Sequence, residues 1–294
     1  MSYNHDESEI EASRAPLMDH LVELRSRLVA SVFALVIGFL ICFFFAQDIY
    51  IFLLHPFEVA GGLMAEQKVK GVHHGPMDMI LTLIGVIPMP PSAPLKMVFT
   101  APLEFFFTKV KLAGIAGLVV AFPMIAYQLY KFVSPGLYKR ERFAFLPFLI
   151  ASPFLFLLGT ALVYFIMLPF VMFFSLNQQI LGAGNVSVEM LPKVSDYLSL
   201  VTALLLAFGL CFQLPVVLSL LGLAGLISSQ ALTSGRRYAI VGVAGLAAVV
   251  TPPDPFSMIA LIVPLVMLYE VSIWCVRLIE LKERKSEAEE EQGV

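Results

Sequence analysis

Long stretches of this chain carry no charge, and their spacing constrains the fold more than any motif does. Leu28–Gln47 is 20 uncharged residues between Arg27 and Asp48, and Leu112–Tyr130 is 19 between Lys111 and Lys131. Phe143–Val188 runs for 46 residues, Tyr197–Gly235 for 39, Tyr238–Pro253 for 16 and Pro255–Tyr269 for 15. A helix crosses about 30 Å of hydrocarbon in about 20 residues. The charges collect at the ends: residues 1–27 and 277–294 hold 12 of the 22 acids and 7 of the 19 Lys/Arg. With 59% hydrophobic and 14% charged residues, the chain cannot cover a soluble fold of its size. A cytosolic globular enzyme, a disordered chain and a secreted disulfide scaffold are excluded, which leaves an all-α polytopic membrane protein.

Six transmembrane helices are expected, at about 28–47, 110–131, 144–172, 197–222, 237–251 and 256–276. The 46-residue run holds one helix and then a loop, because SLNQQILGAGNVSV (175–188) is rich in turn residues. The 39-residue run likewise ends in the loop GLAGLISSQALTSG (222–235). TPPDP (251–255) must turn, since its prolines cannot continue a helix. Helices five and six therefore form a short hairpin, which either stops short of a full crossing or thins the bilayer. Pro123, Pro147, Pro153, Pro169, Pro215 and Pro264 lie inside expected helices and permit kinks. Residues 48–111 form a long first external loop. Thirteen Lys/Arg fall on one side of this arrangement and six on the other, which places both termini in the cytoplasm. Residues 1–14 are expected to be a disordered cytoplasmic tail, 15–276 the membrane domain and 277–294 a charged cytoplasmic tail. The polar start, with six acids in residues 1–27, does not fit a cleavable signal peptide.

Little in the chain points to bond-making chemistry. Cys42, Cys211 and Cys275 lie in apolar runs without CxxC spacing, so neither a disulfide framework nor a cysteine metal site is expected. The pair His73–His74 has no carboxylate or cysteine at a ligand-like spacing, and no metal or cofactor is expected. Phosphate-binding loops, HExxH and GxSxG are absent, which argues against an enzyme. A net charge of −3 gives no reason to expect nucleic acid as a partner.

Two segments carry acids that stand out against this background. APLMDHLVELRSRL (15–28) reads as an amphipathic helix with Pro16 at a first helical position and Leu17, Leu21, Leu24 and Leu28 in one stripe. His20, Glu23 and Arg27 fall on another face. Glu23 is either half of an i,i+4 surface pair with Arg27, worth a few tenths of a kcal/mol, or an acidic group held at the membrane surface for a ligand. KFVSPGLYKRERF (131–143) turns at Pro135–Gly136, and Glu141 is its only acid. Glu141 either compensates a basic topology signal or forms an acidic site with Glu23 that suits a guanidinium. Gln213 is an intramembrane polar group that either makes a helix-packing hydrogen bond or faces a wet cavity. Glu270 can snorkel or pair with Arg277, and Asp254 sits in the hairpin turn.

DHLVELRSRL, FVSPGLYKRERF, AFGLCFQLPVV and TPPDPFS, in this order over about residues 20–280, resemble the TatC subunit of the twin-arginine (Tat) protein translocase. The patterns HLxELRxRL and SPxLYxxER carry most of the likeness. The resemblance implies a non-enzymatic core receptor of the bacterial cytoplasmic (inner) membrane. Such a receptor binds twin-arginine signal peptides of folded precursors at the cytoplasmic face. With small single-span TatA-like and TatB-like partners, in several copies per complex, it exports those proteins on the protonmotive force. It also implies that Glu23 and Glu141 contact the signal arginines, that His20, Arg25, Phe132 and Pro135 belong to the same site, and that the hairpin with Thr251, Asp254 and Ser257 meets a partner helix. Relatives often carry Glu where this chain has Gln213. The alternative is a proton-coupled small-molecule transporter, which would need a multiply polar midplane where this sequence offers Gln213.

Overall fold

The computed structural model describes residues 3–71, 74–89, 97–133, 139–183, 186–188, 191–250 and 255–292. The chain is helical almost throughout. Helix α1 spans Tyr3–Phe44, α2 Ala46–Lys70, α3 Pro76–Leu83 and α4 Glu104–Val133. Helix α5, Lys139–Leu162, passes through a π-helical turn at Val163–Met167 into α6, Leu168–Asn177. A small hairpin of β1 (Ile180–Ala183) and β2 (Val186–Val188) leads to α7, Val194–Cys211, and α8, Leu214–Leu223. Helices α9 (Ser229–Ser234), α10 (Arg236–Val250) and α11 (Pro255–Gln292) complete the chain.

The prolines act where the sequence places them. Pro215 has no N–H to offer the Cys211 carbonyl, and the helix breaks there: α7 stops at Cys211 and α8 restarts at Leu214. Before Pro169 the chain widens into the π turn, closed by the Leu168 N–H on the Val163 carbonyl. Pro56 frees the Phe52 carbonyl in α2, and the Tyr164 hydroxyl donates to it at 3.0 Å. The Tyr197 hydroxyl donates to the next carbonyl, Leu53, at 2.6 Å. Two tyrosines from the bundle thus bond the carbonyl that Pro56 leaves free and its neighbour, and pin α2 in place.

Close helix contact rests on glycine. A methyl group on Gly38 of α1 would lie 2.6 Å from the Gly117 carbonyl oxygen of α4, and one on Gly117 would lie 2.6 Å from the Phe39 nitrogen. Backbone therefore lies on backbone, the arrangement that small residues permit between membrane helices. Phe57, Met167, Leu168, Leu204 and Phe208 fill the main core.

Six segments are long and apolar enough to cross a membrane: Leu21–Phe44, Ala46–Gln67, Glu104–Phe132, Pro147–Asn177, Val194–Leu223 and Leu261–Lys282. The number six agrees with expectation, but one member differs. Residues 46–70 are helix α2, where the sequence suggested part of an external loop; the segment Ala46–Gln67 has mean hydropathy 1.2, the lowest of the six. Its acid Asp48 sits in the first turn, where a helix N-terminus favours negative charge. The expected helix 237–251 is α10, and its 15 residues reach about 22 Å, short of the hydrocarbon thickness. Helix α1 begins at Tyr3, so the backbone is helical through the stretch expected to be a disordered tail, and Pro16 is not its first position. The Glu and Ala residues of ESEIEAS are good helix formers and can extend a helix nucleated in the apolar segment. Helix α11 likewise continues to Gln292, through the expected charged tail.

Candidate functional site

Which residues share one end of the bundle follows from two contacts. Helices α1 and α4 touch at Gly38 and Gly117. Tyr50, just past the end of α1, packs edge-on against Phe105 at the start of α4, with centroids 5.6 Å apart and planes at 83°. The two helices are therefore antiparallel. Glu23 lies about 22 Å along α1 from the crossing, and Phe132 about 22 Å along α4 on the same side. Glu141 is at the third position of α5, so its backbone belongs to this end as well.

Glu23 accepts a hydrogen bond from Arg27 Nη2 at 3.2 Å, and both side chains are about one-third exposed. This is the i,i+4 pair the spacing allows, worth a few tenths of a kcal/mol. It is also incomplete: Arg27 Nε is buried without a hydrogen-bond partner among the described residues. Arg25 is exposed and Phe132 half-buried at the end of α4. His20 and Glu141 are placed as helix backbone, and their side chains lie outside the described residues, as does all of Pro135. Of the expected apolar stripe, Leu21, Leu24 and Leu28 are 57%, 41% and 60% exposed, so much of their surface is left uncovered, and the Leu17 side chain lies outside the described residues.

Gln213 sits at the break between α7 and α8 rather than within an unbroken helix. Ser152 Oγ of α5 donates to its Oε1 at 2.6 Å, and its Nε2 donates to the Ser152 carbonyl at 3.0 Å. The side chain is thus engaged as donor and acceptor by one residue, which is the helix-packing alternative. Sequence reasoning did not find Ser152, because nothing local links positions 61 apart.

Glu270 pairs with Arg236 at 2.7 Å, not with Arg277. The Tyr269 hydroxyl donates to the Leu232 carbonyl at 2.9 Å, and Glu280 accepts from the Ser229 N–H at 2.6 Å and Oγ at 2.5 Å. These bonds hold α9, α10 and α11 together. Thr251 and Asp254 lie outside the described residues, and Ser257 is placed only as backbone in the first turn of α11. Along α10 and α11 a row of apolar side chains remains uncovered, including Val241 (70% exposed), Met267 (63%) and Trp274 (68%). No group of three metal-ligating side chains occurs among the described residues.

Residues 19–264 match the family described as "Sec-independent protein translocase protein (TatC)". The chain belongs to the TatC family. Its TatC relative from Magnetococcus marinus is 39% identical over 279 residues, covering 95% of this chain and 90% of the relative. TatC of Escherichia coli K12 is 33% identical over 272 residues, 92% of each chain. Two crystal structures of a "Twin Arginine Translocase Receptor- TatC" superpose with TM-scores of 0.64 and 0.66 at 32% and 33% identity. They cover 89% and 87% of this chain and 99% and 98% of theirs. As a TatC protein the chain is a subunit of the Tat protein translocase, not an enzyme, and a multi-pass protein of the inner membrane.

Proposed function

We propose that this subunit is the receptor of the translocase: it takes twin-arginine signal peptides at the end of the bundle bearing Glu23 and Glu141. The observation that carries the reading is the under-used Glu23 carboxylate at a polar end of an apolar bundle, level with Phe132 and the first turn of α5. A guanidinium binds a carboxylate through two charge-assisted hydrogen bonds, and Arg27 supplies a single contact of modest strength for it to displace. His20, Arg25, Phe132 and Pro135 are assigned to the same site from the family motifs, and Gln213 ties α5 to the α7–α8 break. The two matching crystal structures are of a twin-arginine translocase receptor, which supports the assignment.

In this reading α2 caps the far end instead of crossing, since it packs on α6 and is held by Tyr164 and Tyr197. The crossings are α1, α4, α5–α6, α7–α8, α10 and α11, with both termini cytoplasmic. The short α10–α11 hairpin, with Thr251, Asp254 and Ser257 at its turn, thins the bilayer and receives the single helix of TatA-like and TatB-like partners. Export then runs on the protonmotive force. A small-molecule transporter is disfavoured because Gln213 is bonded at both ends to Ser152.

The test is photo-crosslinking of a twin-arginine precursor from probes at Leu21 and Leu24, repeated with both signal arginines changed to lysine. Strong crosslinks that fall with the lysine pair support the reading; equal crosslinking refutes arginine recognition here. Glu23→Ala combined with Glu141→Ala is expected to stop export while the protein still inserts, and normal export refutes the assignment. A reporter fused after Val294 is expected in the cytoplasm.

A further inference from the structure

At the end of the bundle opposite Glu23 lies a cavity of about 560 Å³ whose walls come from α2, the 97–102 strap, the start of α4 and Val194. From Glu23 to Phe44, α1 rises about 32 Å, close to the hydrocarbon thickness. The cavity begins just past that point, at Tyr50, so it sits at the level of lipid headgroups.

Its chemistry is specific. Four aromatic rings, Tyr50, Phe57, Phe99 and Phe105, line it together with one carboxylate, Glu58. Glu58 is exposed and has no hydrogen bond or ion pair among the described residues. Aromatic faces beside a carboxylate are what an ammonium group requires. Lys109 Nζ already lies 4.9 Å from the centre of the Phe105 ring, which places a cation beside this wall. Phe99 and Leu103, at 63% and 62% exposure, leave apolar surface beside the cavity for acyl chains.

The walls are also held in place. Val98 donates its N–H to the Pro192 carbonyl at 3.1 Å and accepts from the Val194 N–H at 3.0 Å. Glu104 accepts from the Thr100 and Ala101 N–H groups at 2.8 and 3.1 Å. The strap carrying Phe99 is therefore tied to α7 and to the first turn of α4 before any ligand arrives.

We propose that this cavity binds the headgroup of a zwitterionic amine phospholipid, with the ammonium between the rings and Glu58 and the phosphate toward Lys109. A carboxylate in the lining and a lysine over the Phe105 ring match an ethanolamine phosphate and disfavour a headgroup that lacks the amine.

The full chain is reconstituted in nanodiscs with equal phosphatidylethanolamine and phosphatidylglycerol, and retained lipid is read by native mass spectrometry. The wild type is expected to retain the ethanolamine lipid about tenfold over the glycerol lipid, the scale of one charge-assisted contact. Glu58→Gln is expected to abolish that preference. Glu66→Gln, on the same helix but paired with Lys70 at 2.8 Å and outside the cavity, is expected to keep it. Equal retention of the two lipids by the wild type, an unchanged preference in Glu58→Gln, an equal loss in Glu66→Gln, or a peptide held in place of lipid overturns the proposal. No arm of this experiment reads export, so its failure leaves the receptor reading standing.

Discussion

The Gly38–Gly117 crossing offers a stability test in which one substitution changes sign along one helix. An added methyl on Gly117 would meet the Phe39 nitrogen at 2.6 Å, the Phe39 Cα at 2.8 Å and the Gly38 carbon at 2.9 Å. All three are backbone atoms, so no side chain can rotate away. Ordinary contact begins near 3.4 Å; the helices must separate by close to 1 Å, which forfeits a quarter to a half of each dispersion contact across the seam. Overpacking of this kind costs about 1–3 kcal/mol, and a rigid seam lies at the upper end. Replacing a mid-helix Gly by Ala returns about 1 kcal/mol of helix propensity. The net expectation for Gly117→Ala is a loss of about 2 kcal/mol, or about 30-fold in the unfolding constant. Gly114, one turn earlier on α4, has nothing within 4 Å of an added methyl. Gly114→Ala therefore keeps only the propensity term and is expected to stabilise by about 0.5–1 kcal/mol. Reversible unfolding of both variants by SDS titration in mixed micelles, followed by circular dichroism, reads the difference. If Gly117→Ala is as stable as Gly114→Ala, the backbone seam does not govern α1–α4 packing.

The other interactions give sharper signs than magnitudes. Ser152→Ala leaves Gln213 Oε1 without its donor and is expected to cost about 1–3 kcal/mol; combined with Gln213→Leu, the loss is expected to fall below the sum of the singles, and strict additivity in a double-mutant cycle would dissolve the pair. Tyr164→Phe is expected to cost about 1 kcal/mol in the wild type but little in a Pro56→Ala background, where an amide at 56 can take the Phe52 carbonyl; equal losses in both backgrounds would contradict the role of the freed carbonyl. Arg236 and Glu270 are 46% and 39% exposed, so Glu270→Gln is expected to cost under about 1 kcal/mol, fading as salt rises, in the same unfolding assay.

How much of this could be read in advance depended on whether the signal was local. An uncharged run is local, and α1, α4, α5–α6 and α7–α8 follow from such runs. Helix α2 escaped because Asp48, Glu58, Glu66, Lys68 and Lys70 interrupt its apolar count. Its face was still visible as Leu53, Phe57, Ala60 and Met64 at helical spacing, all buried in the structure. The break at Gln213 follows from Pro215, two residues on. Its partner does not, since Ser152 lies on another helix. Glu270 shows the same limit: Arg277 was the cation within reach along one helix, whereas the α10–α11 hairpin brings back Arg236 from 34 residues away.

Glu23 and the midplane candidate Gln213 differ in a way composition could not reveal. In lipid an unpaired polar group is costly, and several polar groups of the bundle are closed within it, although Ser219 Oγ and Gln128 Oε1 are buried without a partner among the described residues. Thr108, Thr160, Thr202 and Ser272 each donate to a carbonyl four residues earlier. Gln213 is closed too, with donor and acceptor both spent on Ser152. A side chain so engaged stiffens the fold and has little left for a ligand. Glu23 is the opposite case. One of its oxygens meets Arg27 at 3.2 Å, the other has no partner among the described residues, and Arg27 Nε lacks one as well. An incomplete pair at the edge of an apolar bundle can be completed by a ligand at small cost, because the bonds it gives up are weak. The proposed recognition therefore rests on the Glu23 end, whereas Gln213 is spent on joining α5 to the α7–α8 break.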